Sequence, residues 1–163
     1  GLRLFARKDE EVQGSVSISE LLDSTLILLN NVLKDRVKIH KNYISELYIP
    51  CFPGQLSQVF MNLIANASQA IEQENGGDIW IETKALDSQY ITITIKDNGI
   101  GIPDRYQDKI FEMFYRLHPR SQYDGCGIGL AKCKKVVELH NGRIWVDSLE
   151  GHGSTFHFTI SKN

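Results

Sequence analysis

The chain has 163 residues, 42% of them hydrophobic and 23% charged, which suits one globular domain and excludes a disordered segment or a disulfide mini-scaffold. No apolar run approaches the ~18–20 residues a bilayer requires. Lys and Arg number 18 against 20 Asp and Glu, a net charge of −2, so the basic surplus of a nucleic-acid binder is missing.

In chain order, residues 2–12 read as helical until Gly14 breaks the pattern. Val16 and Ile18 alternate with serines as in a short strand, and Ser19 is placed to cap a helix starting at Glu20. Leu21, Leu22, Thr25, Leu28, Leu29, Val32 and Leu33 recur with helical spacing and predict a helix over 20–33. Residues 37–49 are β-rich and stop at Pro50. Pro53-Gly54 opens the most periodic segment, a predicted helix over 55–74 that Asn75-Gly76-Gly77 ends. Alternating runs at 79–84 and 91–97, with Asp87-Ser88 between them, predict an antiparallel hairpin. A short helix is expected within 104–113, a longer one over 128–139, and strands over 143–147 and 155–160. Helices and strands fall in blocks without strict βαβ alternation. The fold class expected is therefore α+β, a two-layer α/β sandwich whose mixed five-stranded sheet carries helices on one face.

Cys51, Cys126 and Cys133 are odd in number and show no zinc spacing, so reduced thiols and a cytoplasmic setting are expected. The first residue is Gly, not Met, and the opening stretch is not a signal peptide, as expected of a piece of a longer protein.

The residues able to carry chemistry form four groups. On the 55–74 helix, Leu56, Val59, Phe60, Leu63, Ile64, Ala67 and Ile71 fill the core arc. A second stripe of Gln55, Gln58, Asn62, Asn66, Gln69 and Gln73 is wholly uncharged amide. Asn62, Asn66 and Gln69 lie along one line and suit a hard cation that shares phosphate oxygens; a polar flank without a role fits the pattern equally. Asp97-Asn98-Gly99-Ile100-Gly101-Ile102-Pro103 is a strand end entering a glycine turn. A carboxylate there can accept from an exocyclic amine, or simply stabilise a tight turn. Gly125-Cys126-Gly127-Ile128-Gly129-Leu130 runs into a helix, where free N–H groups can bind an anion. Phe111, Met113, Phe114 and Tyr115 read as a hydrophobic anchor, and Arg116 as either solvated or aimed at a phosphate.

The order of these pieces resembles the ATP-binding catalytic domain of sensor histidine kinases, within the superfamily shared with gyrase, MutL and the ninety-kilodalton heat-shock chaperone. The matching stretches are QVFMNLIANASQAI (58–71), DNGIGIP (97–103), IFEMFYRL (110–117), GCGIGLAKCKKVVELHNGRIWVDS (125–148) and GHGSTFHFTI (151–160). RLHPR (116–120) and Tyr123 resemble the phytochrome-type and PAS-linked branch. The resemblance implies a Bergerat ATP-binding fold over 14–163, preceded in 1–13 by the end of a dimerisation helix and its linker. It implies ATP and Mg²⁺ as ligands, with Asn66 holding the metal and Asn62 supporting metal and phosphate. Gln69 and Ala70 would flank them, with Gln69 replacing the lysine of many such kinases. Asp97 would read the adenine amine, with Gly99, Ile100, Gly101 and Ile102 shaping the pocket. Gly125, Gly127, Ile128, Gly129 and Leu130 would form the phosphate side of a lid over about 104–127. Thr155 would place a hydroxyl near the base, and Arg116 would act with Asn62 in catalysis.

In the gyrase-like ATPases a glutamate that activates water stands four residues before the metal asparagine. Here that position is Asn62, and an amide is no general base. The resemblance therefore implies a protein histidine kinase that passes the γ-phosphoryl group to a histidine on a separate upstream domain, with a response regulator as the next partner. None of His40, His118, His140, His152 and His157 sits in an acceptor motif, and His118, His140 and His152 read as surface residues. The alternatives are a non-catalytic adenine-nucleotide sensor and a serine kinase of the anti-sigma-factor type. No nucleic-acid or membrane contact is expected of the domain itself, although the full-length protein could be membrane-anchored.

Overall fold

The structure is a computed structural model, and it describes residues 13–71, 76–113 and 129–163. The elements are β1 (Gly14–Ser17), α1 (Ile18–Leu28), α2 (Asn30–Leu33), β2 (Val37–Asn42), β3 (Tyr48–Cys51), α3 (Pro53–Ala70), β4 (Gly77–Ala85), β5 (Tyr90–Asp97), a 3-10 turn (Asp104–Tyr106), α4 (Gly129–Leu139), β6 (Ile144–Leu149) and β7 (Gly153–Ser161).

Five strands form one sheet in the order β2-β4-β5-β7-β6, while β1 and β3 pair separately. Only β2 and β4 run parallel; the other three pairings are antiparallel. The parallel pair needs a long crossover, and β3 with α3 supplies it. Along β4, β5 and β7 the residues alternate in facing. Ile79, Ile81, Ile91, Ile93, Ile95, Phe156, Phe158 and Ile160 are buried beneath the helices. Trp80, Glu82, Lys84, Thr92, Thr94, Lys96, Thr155 and His157 line a groove on the opposite face. The result is the expected two-layer sandwich, with helices on one face of a mixed sheet.

Helix α3 is the centre of the helical layer. All seven residues of its predicted apolar arc are buried. Pro53 starts it, where a missing N–H costs nothing, so the helix begins two residues before the predicted start. It ends at Ala70, and residues 72–75 lie outside the described residues.

Several local expectations are corrected. Ser17, not Ser19, caps the first helix by accepting the Glu20 N–H at 3.3 Å, and Ile18 is its first residue instead of part of a strand. The predicted 20–33 helix is broken at Leu29, which ends α1 and caps the short α2. Leu28 and Val32 consequently stay exposed, while Leu22, Thr25, Leu29 and Leu33 are buried. Pro50 lies inside β3, which is tolerated because that strand pairs with β1 alone. The 104–113 helix is reduced to the 3-10 turn. β6 and β7 extend to 144–149 and 153–161.

Candidate nucleotide site

The inward-facing series of β5 is Ile91, Ile93, Ile95 and then Asp97, so the strand ends with a carboxylate on the core side. Asp97 is 2% exposed. Its Oδ1 accepts the Gly99 N–H at 2.8 Å, and the Ser154 N–H donates to the same carboxylate. Burial pushes the Asp97 carboxyl up to about 6, and these two N–H groups only partly offset it. An amine donor brought to this carboxylate would favour its charged form.

The loop after Asp97 is held on three sides. Ile100 donates its N–H to Ala70 O at 3.0 Å and accepts the Gly151 N–H at 2.7 Å. Ile102 donates its N–H to Ser148 Oγ at 2.7 Å. Asn98 Oδ1 accepts the Asp78 N–H at 2.9 Å. Two glycines make this approach feasible. A Cβ on Gly99 would lie 2.4 Å from Ala70 O, and Gly101, at a φ of +74°, would place one 2.2 Å from Leu149 O.

Asp97, Ser154 and Ser148 form one polar row across β5, β7 and β6 at the end of an otherwise apolar face. Ser148 Oγ accepts from Ile102 and donates to Gly153 O at 2.9 Å, which leaves the Ser154 hydroxyl to donate to it at 2.7 Å. Thr155 is not brought to this row. It pairs with Lys96 and Asp147, so its side chain faces the open groove on the far side of the sheet. The hydroxyl beside Asp97 belongs to Ser154, one residue earlier, because strand faces alternate.

Asn62 is half-buried, and its Nδ2 donates across to Gly129 O at 3.4 Å and Cys133 Sγ at 3.8 Å. The amide flank of α3 thus meets the first turn of α4. Asn66 and Gln69 are half-buried on the same helix. Among the described residues there is room around Gly129: a Cβ would come no nearer than 3.7 Å to any of them, and that to Asn62. Leu130 is half-buried and packs against the core. Arg116, Gly125, Gly127 and Ile128, with Phe114, Tyr115, His118, Tyr123 and Cys126, lie outside the described residues.

Among the described residues no three His, Cys, Asp or Glu gather as metal ligands. The side chain that meets Gly129 is the neutral amide of Asn62, with its Nδ2 turned toward that residue; an amide oxygen is a hard donor of the kind that could share a cation keeping most of its waters. Cys133 is buried, which pushes its thiol up to about 12, so it is inert.

Sequence reasoning missed several residues that hold the site. His140 is a surface residue by pattern but is 4% exposed; its Nδ1–H donates to Val136 O at 2.8 Å, and its Nε2 accepts the Phe52 N–H at 3.1 Å. It thereby joins the end of α4 to the start of α3. Gln107 Nε2 donates to Ile102 O at 2.9 Å and Ser148 O at 3.0 Å, anchoring the chain after the glycine turn. Phe111 does act as an anchor, edge-on to Phe156 at 6.2 Å, whereas Met113 is exposed. The partners that tie them across the fold, Phe52 for His140, Ser148 for Gln107 and Phe156 for Phe111, are 88 and 41 residues away for the first two and similarly remote for the third, so the sequence carried no signal for these contacts.

A family described as histidine kinase-, DNA gyrase B-, and HSP90-like ATPase matches residues 52–163. Cyanobacterial phytochrome A of a Nostoc species is 49% identical over 106 residues, covering 65% of this chain and 14% of that protein. Sporulation kinase E of Bacillus subtilis is 35% identical over 145 residues, covering 88% of this chain and 19% of that protein. The mycobacterial sensor histidine kinase MprB superposes with a TM-score of 0.81 at 25% identity, over 92% of this chain and 97% of the other. The chain therefore spans 14% and 19% of these two curated relatives and nearly all of the solved MprB chain. Sequence, relatives and fold agree, and the chain belongs to the histidine kinase-, DNA gyrase B- and HSP90-like ATPase family, as an ATP-binding catalytic domain of the histidine-kinase kind.

Proposed function

We propose that this domain binds ATP with Mg²⁺ and presents the γ-phosphoryl group to a histidine on a separate upstream helical domain, from which a response regulator then takes it. One observation carries the reading. The side chain beside Gly129, at the junction of α3 and α4, is the amide of Asn62 and not a carboxylate. An amide can orient a phosphate or share a cation but cannot take a proton from water. Hydrolysis is therefore slow, and the phosphoryl group is kept for another acceptor.

Each residue then has a task. Asp97 accepts from the adenine amine, and Gly99 to Ile102 present backbone to the ring. Ser154, through Ser148, holds the loop that carries them. Asn66, with Asn62, would hold Mg²⁺, which when bound neutralises phosphate charge. Asn62 also contacts Gly129 at the start of α4, where first-turn N–H groups would meet the phosphates. Arg116, with Gly125 and Gly127, would close the phosphate side. Phosphoryl transfer needs positioning and charge stabilisation more than covalent chemistry, and that is what this residue set supplies. Among the described residues no helix is long and apolar enough to cross a membrane. A cytoplasmic setting, with neither nucleic-acid nor membrane contact, completes the reading.

The test mixes the domain with a phosphoacceptor helical domain and γ-labelled ATP. Acid-labile label on the acceptor, and almost none on this domain alone, is the expected result. ATP binding without any transfer would refute the kinase assignment and leave a nucleotide sensor.

A further inference from the structure

Arg36 follows α2 and reaches the C-terminal turn of α3. Its Nη1 donates to Ser68 Oγ at 2.8 Å and Val32 O at 3.3 Å. Its Nη2 donates to Ser68 O at 2.9 Å and Ile71 O at 3.1 Å. Ser68 is fully buried. Carbonyls at a helix end lack intrahelical donors and carry the negative end of the helix dipole, so a guanidinium there answers both needs.

That turn has a second load. Ala70 O accepts the Ile100 N–H at 3.0 Å, and Gly99 lies against the same carbonyl so closely that no Cβ would fit. Arg36 on one side and the loop after Asp97 on the other are thus separated by three residues of helix backbone, 68–70. A second route runs through β4. Arg36 O accepts the Gly77 N–H at 3.2 Å, and the next residue, Asp78, donates its N–H to Asn98 Oδ1. Both routes end on the residues that flank the buried carboxylate.

We propose that Arg36 is a positioning residue for base selection: by fixing the last turn of α3 it sets Gly99 and Ile100 relative to Asp97, and so favours adenine over guanine. This rests on the ATP reading above. Adenine offers an amine donor where guanine offers a carbonyl oxygen, which a carboxylate repels. That distinction holds only while the loop keeps base and carboxylate in register. Lysine retains the charge of Arg36 but lacks the fork that reaches Ser68 and Ile71 together.

The experiment uses Arg36→Lys and the milder Ser68→Ala, which removes one of the four acceptors. Amide hydrogen exchange is followed in the nucleotide-free protein. ATP and GTP affinities are measured by competition against a fluorescent adenine nucleotide. In Arg36→Lys the Ile100 amide should exchange about tenfold faster, while the Ile93 and Phe158 amides keep wild-type protection. The ATP-to-GTP affinity ratio should narrow about fivefold, and Ser68→Ala should move both readings in the same direction by less. Unchanged Ile100 exchange would overturn the proposal. So would a lowered melting temperature with ATP and GTP affinities falling together, the mark of a purely structural cap. If the wild-type domain binds neither nucleotide, the ATP reading and the base-selection claim both fall, and the exchange data alone decide whether Arg36 fixes the loop.

Discussion

Replacing Asp97 by Asn should raise stability near pH 7 and weaken adenine recognition together. The carboxyl is 2% exposed and raised from 3.8 to about 6 by burial. Its folded value lies above its unfolded one, so its favourable contribution is complete below about pH 4 and lost as pH rises through about 6. Near pH 7 the ionised group therefore costs the fold about 3 kcal/mol, from roughly two units at ~1.36 kcal/mol each. Asn keeps one carbonyl oxygen for the Gly99 N–H but puts a donor where the other oxygen was, a loss of about 1 kcal/mol. A net gain of about 1–2 kcal/mol remains, or about 3–6 °C in melting temperature for a chain of this length. Thermal unfolding of both proteins between pH 4 and 7.5 is the assay, with titration by a fluorescent adenine nucleotide beside it. The stability difference should grow between pH 4 and 7 while nucleotide affinity falls by at least about tenfold, as a buried polar contact is removed. A pH-independent difference, or a variant less stable at pH 7, would refute the burial argument. Unchanged nucleotide affinity would refute the site.

Gly129→Ala should leave the melting temperature equal or slightly higher, because a Cβ finds room among the described residues there and Ala is the better helix former; its nucleotide affinity should nevertheless fall, and unaltered affinity would remove Gly129 from the phosphate side. Gly101→Ala forces a Cβ against Leu149 O at a φ of +74°; circular dichroism melts should show a loss of about 1–3 kcal/mol or more. His140→Ala leaves the half-buried Phe52 N–H without its acceptor and should cost about 1–3 kcal/mol in urea unfolding; a change under about 0.5 kcal/mol would mean the bond contributes little to joining α3 and α4.

Much of this protein was legible in one dimension. The 3.6-residue period of α3 and the two-residue period of β4 and β5 each require one buried face: all seven residues of the predicted α3 arc are buried, and so are Ile79, Ile81, Ile91, Ile93 and Ile95 within the predicted alternating runs. The Asp97 turn and the α3 amides stood out because chemistry demanded residues that propensity does not. Local signals failed where tertiary partners outvoted them. The start of α1 fell to Ser17, with the Ile18 N–H committed to Leu47 O, and the helix broke at Leu29. Thr155 and Ser154 could not be told apart from sequence spacing, because only cross-strand register decides which hydroxyl shares a face with Asp97. His140 looked like a surface histidine until the start of α3 met it, and nothing in the sequence marked Arg36 as the partner of the end of α3. Periodicity fixes which face of an element is buried; what Arg36 and His140 touch depends on residues 32 and 88 positions away, and only the folded chain brings those together.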